Sequence, residues 1–290
     1  MKVTIGLPFY NAEKDLPDAI RSIFAQTHQD WELILVDDGS TDRSLDIARS
    51  VDDPRVRVIS DGENRRLAAR LNQIVDEAQT PVIVRMDADD LMATDRIERQ
   101  LAVLESMPQV DLVSTGLVSI DDDDQPFGAR SHPASTMTRE DLLRKAGTGI
   151  VHASVIGRRA WFQRNRYDPT YPSAQDYELW LRSSSKDDLA VHIIREPLYF
   201  VRELGSVTAA KMFRAYRMDR RSLRRNRRTV GEARYILRSF LKTGALAAIV
   251  ATGRLEWLTR RRSQPMDDPA LAAWVRSEIA KIRAHDVPGL

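Results

Sequence analysis

The feature that most constrains the fold is a repeated alternation of short β-branched runs with helical segments over the first hundred residues. Runs at residues 3–7, 33–36, 56–59 and 82–84 have the length and composition of strands that are buried on both faces. Between these runs and after the last one, apolar residues recur with the period of an amphipathic helix. Four successive strand–helix units predict a Rossmann-like α/β fold with a mainly parallel central sheet and helices on both faces.

The second hundred residues continue with fewer and longer segments. The pattern predicts a strand over residues 110–120, a helix that begins at Thr138, a strand over 150–156, a helix over 175–183 and extended chain over 190–201. Four consecutive aspartates follow the first of these strands, at residues 121–124. A metal site is one interpretation, but like charges without a scaffold repel one another, so a solvated hairpin turn is favoured.

Charge is unevenly distributed along the chain. Residues 1–207 carry 25 lysines and arginines against 35 aspartates and glutamates, whereas residues 208–262 carry 16 against 3. We therefore predict a body at residues 1–207 and a basic, helical C-terminal extension at residues 208–290. The sequence has no cysteine, no signal-peptide core at its start and no apolar run near the ~20 residues of a membrane span. These features lead us to expect a cytoplasmic location.

Polar loops follow three of the predicted strands, at residues 8–11, 37–42 and 87–90. Right-handed crossovers place the carboxyl ends of parallel strands at one edge of the sheet, so the three loops should meet in one crevice. A turn and a helix start explain most of the second loop, but its adjacent carboxylates, Asp37 and Asp38, need donors or a ligand to balance their repulsion. A carboxylate at this point can accept an N–H of a nucleobase.

The loop after the fourth strand carries two carboxylates separated by one small residue. Asp87 and Asp89 point to the same side of an extended chain, and Ala88 between them allows a ligand to approach closely. Hard carboxylate oxygens suit Mg²⁺ or Mn²⁺, which would bridge to the phosphates of a nucleotide. The sequence has neither a GxGxxG motif nor a Walker A motif, which disfavours NAD-dependent enzymes and P-loop NTPases.

Taken together, these motifs resemble the family 2 glycosyltransferases of the GT-A fold, over about residues 1–205. The matching segments are PFYN, VDDGSTD, ENRRLAA, MDADD, IVHASV and QDYELWLR, which begin at residues 8, 36, 63, 86, 150 and 175. The family often has glycine at the position of Arg66 and glutamate at the position of Gln175. The resemblance implies a nucleotide-diphospho-sugar transferase fold for the body.

The resemblance also implies a role for each matching residue. Asp38 would pair with the nucleobase, Asp89 would be the principal metal ligand, and Asp176 would be the general base. Asp87 would contact either the donor ribose or the metal, and His152 would lie on the acceptor side. Further residues that would line the donor site are Pro8, Tyr10, Glu13, Arg66 and Ala88.

The reaction implied is transfer of a sugar, with inversion, from a nucleotide-diphosphate sugar, most simply a UDP-sugar, to a hydroxyl group. The acceptor would be a saccharide or a lipid-linked molecule used in cell-surface polysaccharide or glycolipid synthesis, and the cofactor Mg²⁺ or Mn²⁺. Two alternatives stay open: a catalytically silent module that binds nucleotide sugars, and a nucleic-acid-binding protein that uses the basic segment. The second is disfavoured because no reader motif accompanies the arginines.

The basic segment at residues 208–262 favours an anionic membrane surface. Each basic residue near such a surface contributes about 1 kcal/mol of attraction. Phe240, Leu241, residues 245–250 and Trp257 would supply apolar anchors. We therefore expect peripheral binding to the inner face of the membrane.

Overall fold

A computed structural model describes residues 1–145, 149–202, 208–252 and 268–290. Within these ranges, nine strands form one sheet. The strands are β1 Val3–Phe9, β2 Trp31–Asp37, β3 Val56–Ile59, β4 Val82–Arg85, β5 Leu91–Met92, β6 Leu112–Ile120, β7 Pro126–Arg130, β8 Ile156–Arg158 and β9 Val191–Arg202. The helices of the body are α1 Leu16–Phe24, α2 Ser44–Ser50, α3 Arg66–Glu77, α4 Arg96–Ser106, α5 Arg139–Arg144, α6 Arg159–Arg164 and α7 Gln175–Ser185. Three further helices are described after residue 207: α8 Ala209–Arg225, α9 Ala233–Ala251 and α10 Pro269–Arg283.

The sheet has a parallel half and a mixed half. Its order is β3-β2-β1-β4-β8-β6-β9-β5, with β7 paired to β6. The first four strands in this order are parallel, as the sequence predicts, and their carboxyl ends share one edge. Strand β8 is antiparallel to both of its neighbours, whereas β6 and β9 run parallel to each other. The α/β class with a mainly parallel centre is therefore confirmed.

Alternation along β1 and β2 produces an apolar layer on each face of the sheet. Val3, Ile5 and Leu7 point into one layer, where the apolar stripe of α1 covers them. Ile34 and Val36 point into the other layer, where α3 packs. Burial on both faces explains why these strands have continuous apolar sequences. The arrangement leaves the loops at the strand ends as the polar part of this edge.

The four aspartates at 121–124 form the turn of the β6–β7 hairpin, as predicted. Asp121 accepts hydrogen bonds from the backbone N–H groups of Asp123 and Gln125, at 3.0 and 2.7 Å. The prediction of a solvated turn is wrong for Asp124, which is buried and paired with Arg202 at 2.6 Å. Ordinary turn and ion-pair contacts therefore account for this acidic run.

The strand predicted over residues 150–156 is wrong. The chain forms a short 3-10 turn at His152–Ser154 and enters β8 only at Ile156. Buried serines explain the difference: the Ser114 hydroxyl accepts from Val151 N–H at 3.0 Å, and the Ser154 hydroxyl accepts from Thr115 N–H at 2.9 Å. These side chains replace ladder hydrogen bonds and allow the backbone to turn.

The last helix, α10, belongs to the core of the body. Its residues Val275, Ile279 and Ile282 are buried in the same apolar layer as α1. Glu278 accepts hydrogen bonds from both the backbone N–H and the hydroxyl of Thr94. The boundary at residue 207 stays a prediction, and the charge pattern gave no indication of this packing.

Candidate active site

The loops after β1 and β2 are joined by hydrogen bonds. Asn11 N–H donates to the Ser40 hydroxyl at 3.1 Å, and the side-chain oxygen of Asn11 accepts from Thr41 N–H at 2.8 Å. Glu13 accepts from Arg43 N–H at 3.0 Å. Two predicted donor-site residues flank this network: Pro8 is buried in β1 and Tyr10 is 50% exposed. The two loops therefore form one wall of the crevice.

Asp38 lies at the N-terminus of α3. Its Oδ1 accepts from the backbone N–H groups of Arg65 and Arg66, at 2.7 and 3.1 Å, and from Nε of Arg70 at 2.8 Å. A carboxylate is favoured at this end of a helix because the unpaired N–H groups and the helix dipole are both positive there. Oδ2 accepts only the Arg66 N–H, at 3.0 Å, among the residues that the structure describes. This oxygen therefore retains acceptor capacity for a ligand.

Arg66 has a left-handed backbone, with φ of 69°. Glycine adopts this conformation without steric cost, which explains why glycine suits the same position in the resembling family. In this chain the hydrogen bonds from Arg66 N–H to Asp38 hold the residue in that conformation. The Arg66 side chain is exposed at the edge of the crevice.

The charges of Asp37 and Asp38 are balanced within the protein. Asp37 accepts from Ser40 N–H at 2.9 Å and from the Ser60 hydroxyl at 2.8 Å. Arg70 is fully buried and pairs with both Asp38 and Asp61. Its hydrogen bonds hold the pKa of Asp61 far below its usual range. Donors rather than a ligand therefore compensate this acidic pair.

Asp87 is held by a buried arginine. The Arg85 guanidinium binds both carboxylate oxygens of Asp87, at 2.6 and 3.1 Å. The Asp87 N–H donates to the Tyr199 hydroxyl at 3.1 Å. The bidentate pair fixes the orientation of this carboxylate and neutralises its charge. The chain itself, through Arg85, therefore supplies part of the positive charge that is needed to balance the aspartates of this loop.

Asp89 and Asp90 have no such arginine partner among the residues that the structure describes. Ligand oxygens of Asp87, Asp89 and Asp90 all lie within 4.8 Å of one another, the one such cluster found among the described residues. Desolvation and the charge of Asp87 raise the pKa of Asp89, although its side chain opens to solvent. Burial and the two neighbouring carboxylates raise the pKa of Asp90 well above its usual value. Three hard oxygen donors this close together fit a divalent cation, which would favour the ionised form of the carboxylates, with Asp89 the accessible ligand.

Asp176 lies in the first turn of α7 and is partly buried. No residue that the structure describes donates a hydrogen bond to its carboxylate or pairs with it. The helix begins after Ala174, whose backbone is left-handed with φ of 56°. A carboxylate in this position is stabilised by the helix N-terminus and remains available to accept a proton.

His152 lies between the metal-binding candidates and α7. It shares a 2.8 Å hydrogen bond with the Tyr167 hydroxyl, and its ring meets that of Trp180 edge-on at 6.0 Å. Burial and the positive charge of Arg85 lower the pKa of His152 well below its usual value, so the imidazole is neutral at pH 7. Trp180 is one helical turn beyond Asp176 and shares its face of α7.

Tyr167 connects the two acidic groups of the site. Burial raises the pKa of this phenol, and the charges of Asp176 and Asp87 raise it further while Arg85 lowers it. The charges of Asp176 and Asp87 therefore both act on one buried phenol, which is also hydrogen-bonded to His152, although the three residues are distant in sequence. The other predicted donor residues lie in four places: Pro8, Tyr10 and Glu13 at or after the end of β1, Asp38 after β2, Arg66 at the start of α3 and Ala88 after β4. Strand β1 pairs with both β2 and β4.

Sequence reasoning missed several residues of the site. Arg85 was detectable, since it ends a buried strand and residues two apart in extended chain share a side with Asp87. Tyr199 and Tyr167 had no local signal, because they reach the site from distant segments of the chain. Asp90 is part of the motif, but the sequence does not show that its side chain is buried or that its carboxylate lies close to that of Asp89.

Comparison with known proteins identifies the family of this chain. The family model described as glycosyl transferase family 2 matches residues 4–166. The chain belongs to glycosyl transferase family 2. A similar protein is the putative glycosyltransferase EpsE of Bacillus subtilis, 30% identical over 86% of this chain and 91% of EpsE. The putative teichuronic acid biosynthesis glycosyltransferase TuaG of the same organism is 29% identical over 62% of this chain and 70% of TuaG.

Solved structures of transferases share the fold of this family 2 glycosyltransferase. S. aureus TarS residues 1–349, in complex with UDP-GlcNAc, has a TM-score of 0.64 at 14% identity over 83% of this chain and 72% of that one. The mannosyltransferase PcManGT of Pyrobaculum calidifontis, in complex with GDP-Man and Mn²⁺, has a TM-score of 0.60 at 18% identity. This match covers 98% of the present chain and 85% of the PcManGT chain. These likenesses confirm the GT-A fold.

Proposed function

We propose that this glycosyltransferase moves a sugar from a nucleotide-diphosphate sugar to a hydroxyl acceptor, with inversion and with the assistance of a divalent metal. The observation that carries the proposal is the cluster of Asp87, Asp89 and Asp90 oxygens within 4.8 Å. The carboxylate of Asp176, to which no described residue donates a hydrogen bond, and that of Asp87 both raise the pKa of the same buried phenol, Tyr167. A leaving group would bind on one side and a proton acceptor lie on the other, as a single displacement requires.

Each residue of the site has a separate role in the proposed reaction. Asp176 accepts the proton of the attacking hydroxyl, a contribution of about 10²–10⁴-fold from a well-placed base. Asp89, with Asp87 and Asp90, would hold Mg²⁺ or Mn²⁺, which supplies Lewis-acid stabilisation of the departing diphosphate. Arg85 fixes Asp87. His152 is neutral and can exchange a hydrogen bond with the acceptor without adding charge.

The donor site we propose lies against the β1 and β2 loops. Oδ2 of Asp38 has acceptor capacity for a nucleobase N–H, and Pro8, Tyr10 and Glu13 form the wall beside it. The exposed cation of Arg66 can reach the phosphates. Ala88 leaves room between the two carboxylates that flank it. The complex of TarS with UDP-GlcNAc supports a UDP-sugar, whereas that of PcManGT supports a GDP-sugar and Mn²⁺.

A role in cell-surface polysaccharide or glycolipid biosynthesis is part of the proposal. Similarity to TuaG, whose name specifies teichuronic acid biosynthesis, supports it. The acceptor would be a saccharide or a lipid-linked molecule, reached at the cytoplasmic side of the membrane.

A thermal-shift screen of nucleoside diphosphates and nucleotide sugars, with and without Mn²⁺, tests the donor site. A ligand at 100 times its Kd stabilises the folded state by about 2.7 kcal/mol. We expect one nucleoside diphosphate to raise Tm more with Mn²⁺ than the nucleotide and the metal do separately. Absence of any nucleotide-dependent shift would contradict the proposal. Donor binding without turnover across an acceptor panel would point to a silent binding module.

We further propose peripheral membrane binding through α9. Leu237 and Leu241 are 62% and 67% exposed on this helix, beside the arginines of α8. No helix among the described residues is both long and apolar enough to span a bilayer. Trp257, a predicted anchor, lies outside the described residues.

Vesicle flotation with a charge-matched control tests the membrane proposal. Leu241→Asp is expected to reduce binding to phosphatidylglycerol vesicles by about tenfold or more, because burying a leucine side chain contributes roughly 1.5–3 kcal/mol. Ala102→Asp adds the same charge at an exposed position of α4 and should bind as the wild type does. Equal binding by both variants, or no preference for anionic vesicles, would refute the membrane role.

A further inference from the structure

Helices α8 and α9 form an open groove lined mainly by arginines. Two adjoining cavities of about 790 and 490 Å³ share Arg217, Met218 and Arg221 in their walls. We call this surface the arginine groove. Its cationic residues are Arg214, Arg217, Arg220, Arg221, Arg224 and Arg225.

Three of these arginines are held in place by the protein. Arg225 pairs with Asp168 at 2.7 Å. Arg221 donates to the backbone oxygen and the hydroxyl of Thr170 and stacks over the ring of Tyr171. Arg220 donates to the Thr243 hydroxyl at 2.6 Å. Preorganised guanidinium groups lose less entropy when they bind an anion.

The positive charge of the groove is largely uncompensated. Arg214 and Arg217 are exposed and make no hydrogen bond or ion pair with any residue that the structure describes. Arg224 makes only a stacking contact with Phe240 within the same described ranges. Asp168 is the one carboxylate there that is paired with a groove arginine. Several guanidinium groups in one concave surface, without an ion-pair partner among the described residues, suit a ligand with more than one negative charge. Phosphate esters match their geometry.

The groove adjoins the segment that leads to Asp176. Thr170 and Pro172 line it, and Asp176 follows Pro172 by four residues. An anion at this end of the groove would therefore lie beside the segment that leads into α7, the helix that carries Asp176.

The other end of the groove opens onto the apolar surface of α9. Phe240 lines the groove and is 47% exposed. Leu237 and Leu241 continue that exposed apolar surface along the same helix. A ligand that follows this path would be anionic near Thr170 and Pro172 and apolar near Leu237 and Leu241.

We propose that the arginine groove binds the diphosphate of a lipid-linked acceptor, with the lipid along α9 and the glycan directed to Asp176. The inference rests on the proposed function and names the acceptor class for the same site. Charge complementarity selects the diphosphate, and continuity with the exposed surface of α9 selects a lipid carrier over a soluble sugar phosphate.

Binding of farnesyl diphosphate to the full chain, measured by calorimetry in EDTA, tests the inference. EDTA prevents Asp89 and its neighbours from holding the diphosphate through a metal. The variant Arg214→Gln/Arg217→Gln should weaken binding by about tenfold or more, since two charge-assisted contacts are lost. The control Lys211→Gln/Arg227→Gln removes the same charge from exposed positions that do not line the groove, and should bind as the wild type does.

The comparison ligands separate the possible occupants. Inorganic diphosphate should bind more weakly than farnesyl diphosphate. Any binding of farnesol should have the same affinity in the wild type and in the Arg214→Gln/Arg217→Gln variant. Equal affinity for inorganic and farnesyl diphosphate would overturn the lipid carrier. If the Arg214→Gln/Arg217→Gln variant loses binding to phosphatidylglycerol vesicles but keeps its affinity for farnesyl diphosphate, the groove binds the membrane surface instead. Binding of a nucleoside diphosphate with Mn²⁺ is measured in parallel. If the wild type binds the nucleoside diphosphate but does not bind farnesyl diphosphate, this inference is wrong while the proposed function stands.

Discussion

Asp176→Asn is expected to lower kcat by about 10²–10⁴-fold, the range contributed by a well-placed general base. Asparagine has nearly the same shape as aspartate but cannot accept the proton of the attacking hydroxyl. No residue that the structure describes donates to the Asp176 carboxylate, so its replacement breaks no internal hydrogen bond. Donor affinity should be unchanged, because the proposed metal and nucleobase groups lie on other loops.

The measurement is kcat for sugar transfer together with calorimetric affinity for the nucleoside diphosphate in Mn²⁺. Asp187→Asn is the matched control: it removes one carboxylate from a side chain that is 74% exposed, after the end of the same helix. The control should keep wild-type kcat. Normal turnover by Asp176→Asn would show that another group accepts the proton.

Asp89→Asn is expected to weaken Mn²⁺-dependent donor binding by about 100-fold or more, as loss of a direct metal ligand exceeds the 10–100-fold cost of altering its surroundings. Asp87 is already neutralised by Arg85, and Asp90 is buried, so Asp89 is the accessible ligand of the cluster. Donor binding without metal should change little, since the β1 and β2 loops are intact.

The control for this variant comes from the second acidic run of the chain. Asp123→Asn removes an exposed carboxylate from the β6–β7 turn, which turn contacts explain without a metal. Its Mn²⁺-dependent affinity should equal that of the wild type. Equal loss in both variants would indicate a general charge effect rather than a metal ligand.

The parallel half of the fold and its loops could be predicted because their signals are local. β1, β2 and β4 are apolar runs, and each is followed directly by the polar residues that it positions, such as Asp38 and Asp89. The capping pair at Thr138 and Asp141 is equally local, and its reciprocal hydrogen bonds confirm the predicted helix start.

The remainder depends on contacts between distant parts of the chain. Tyr199 reaches Asp87 from β9, which joins the sheet through β6. The 3-10 turn at His152 replaces the predicted strand because buried serines supply its hydrogen bonds. Periodicity does not show which surface a segment covers, so the packing of α10 on the body was not predicted.

The charges of Asp38 and Asp87 are balanced by arginines that lie outside the matching motifs. The sequence shows the acids, and electrostatics requires that their charges be balanced. The structure shows that Arg70 balances Asp38 and that Arg85 balances Asp87. Among the described residues, the carboxylates of the cluster that have no arginine partner and could neutralise a bound cation are therefore those of Asp89 and Asp90.

Anomalous diffraction from crystals grown with Mn²⁺ and a nucleoside diphosphate tests the central claim most directly. We predict a manganese peak within coordination distance of the Asp89 carboxylate, bridging to the diphosphate, with the nucleobase beside Asp38. A nucleoside diphosphate bound in the crevice with no manganese at Asp89 would contradict the proposed metal-assisted mechanism.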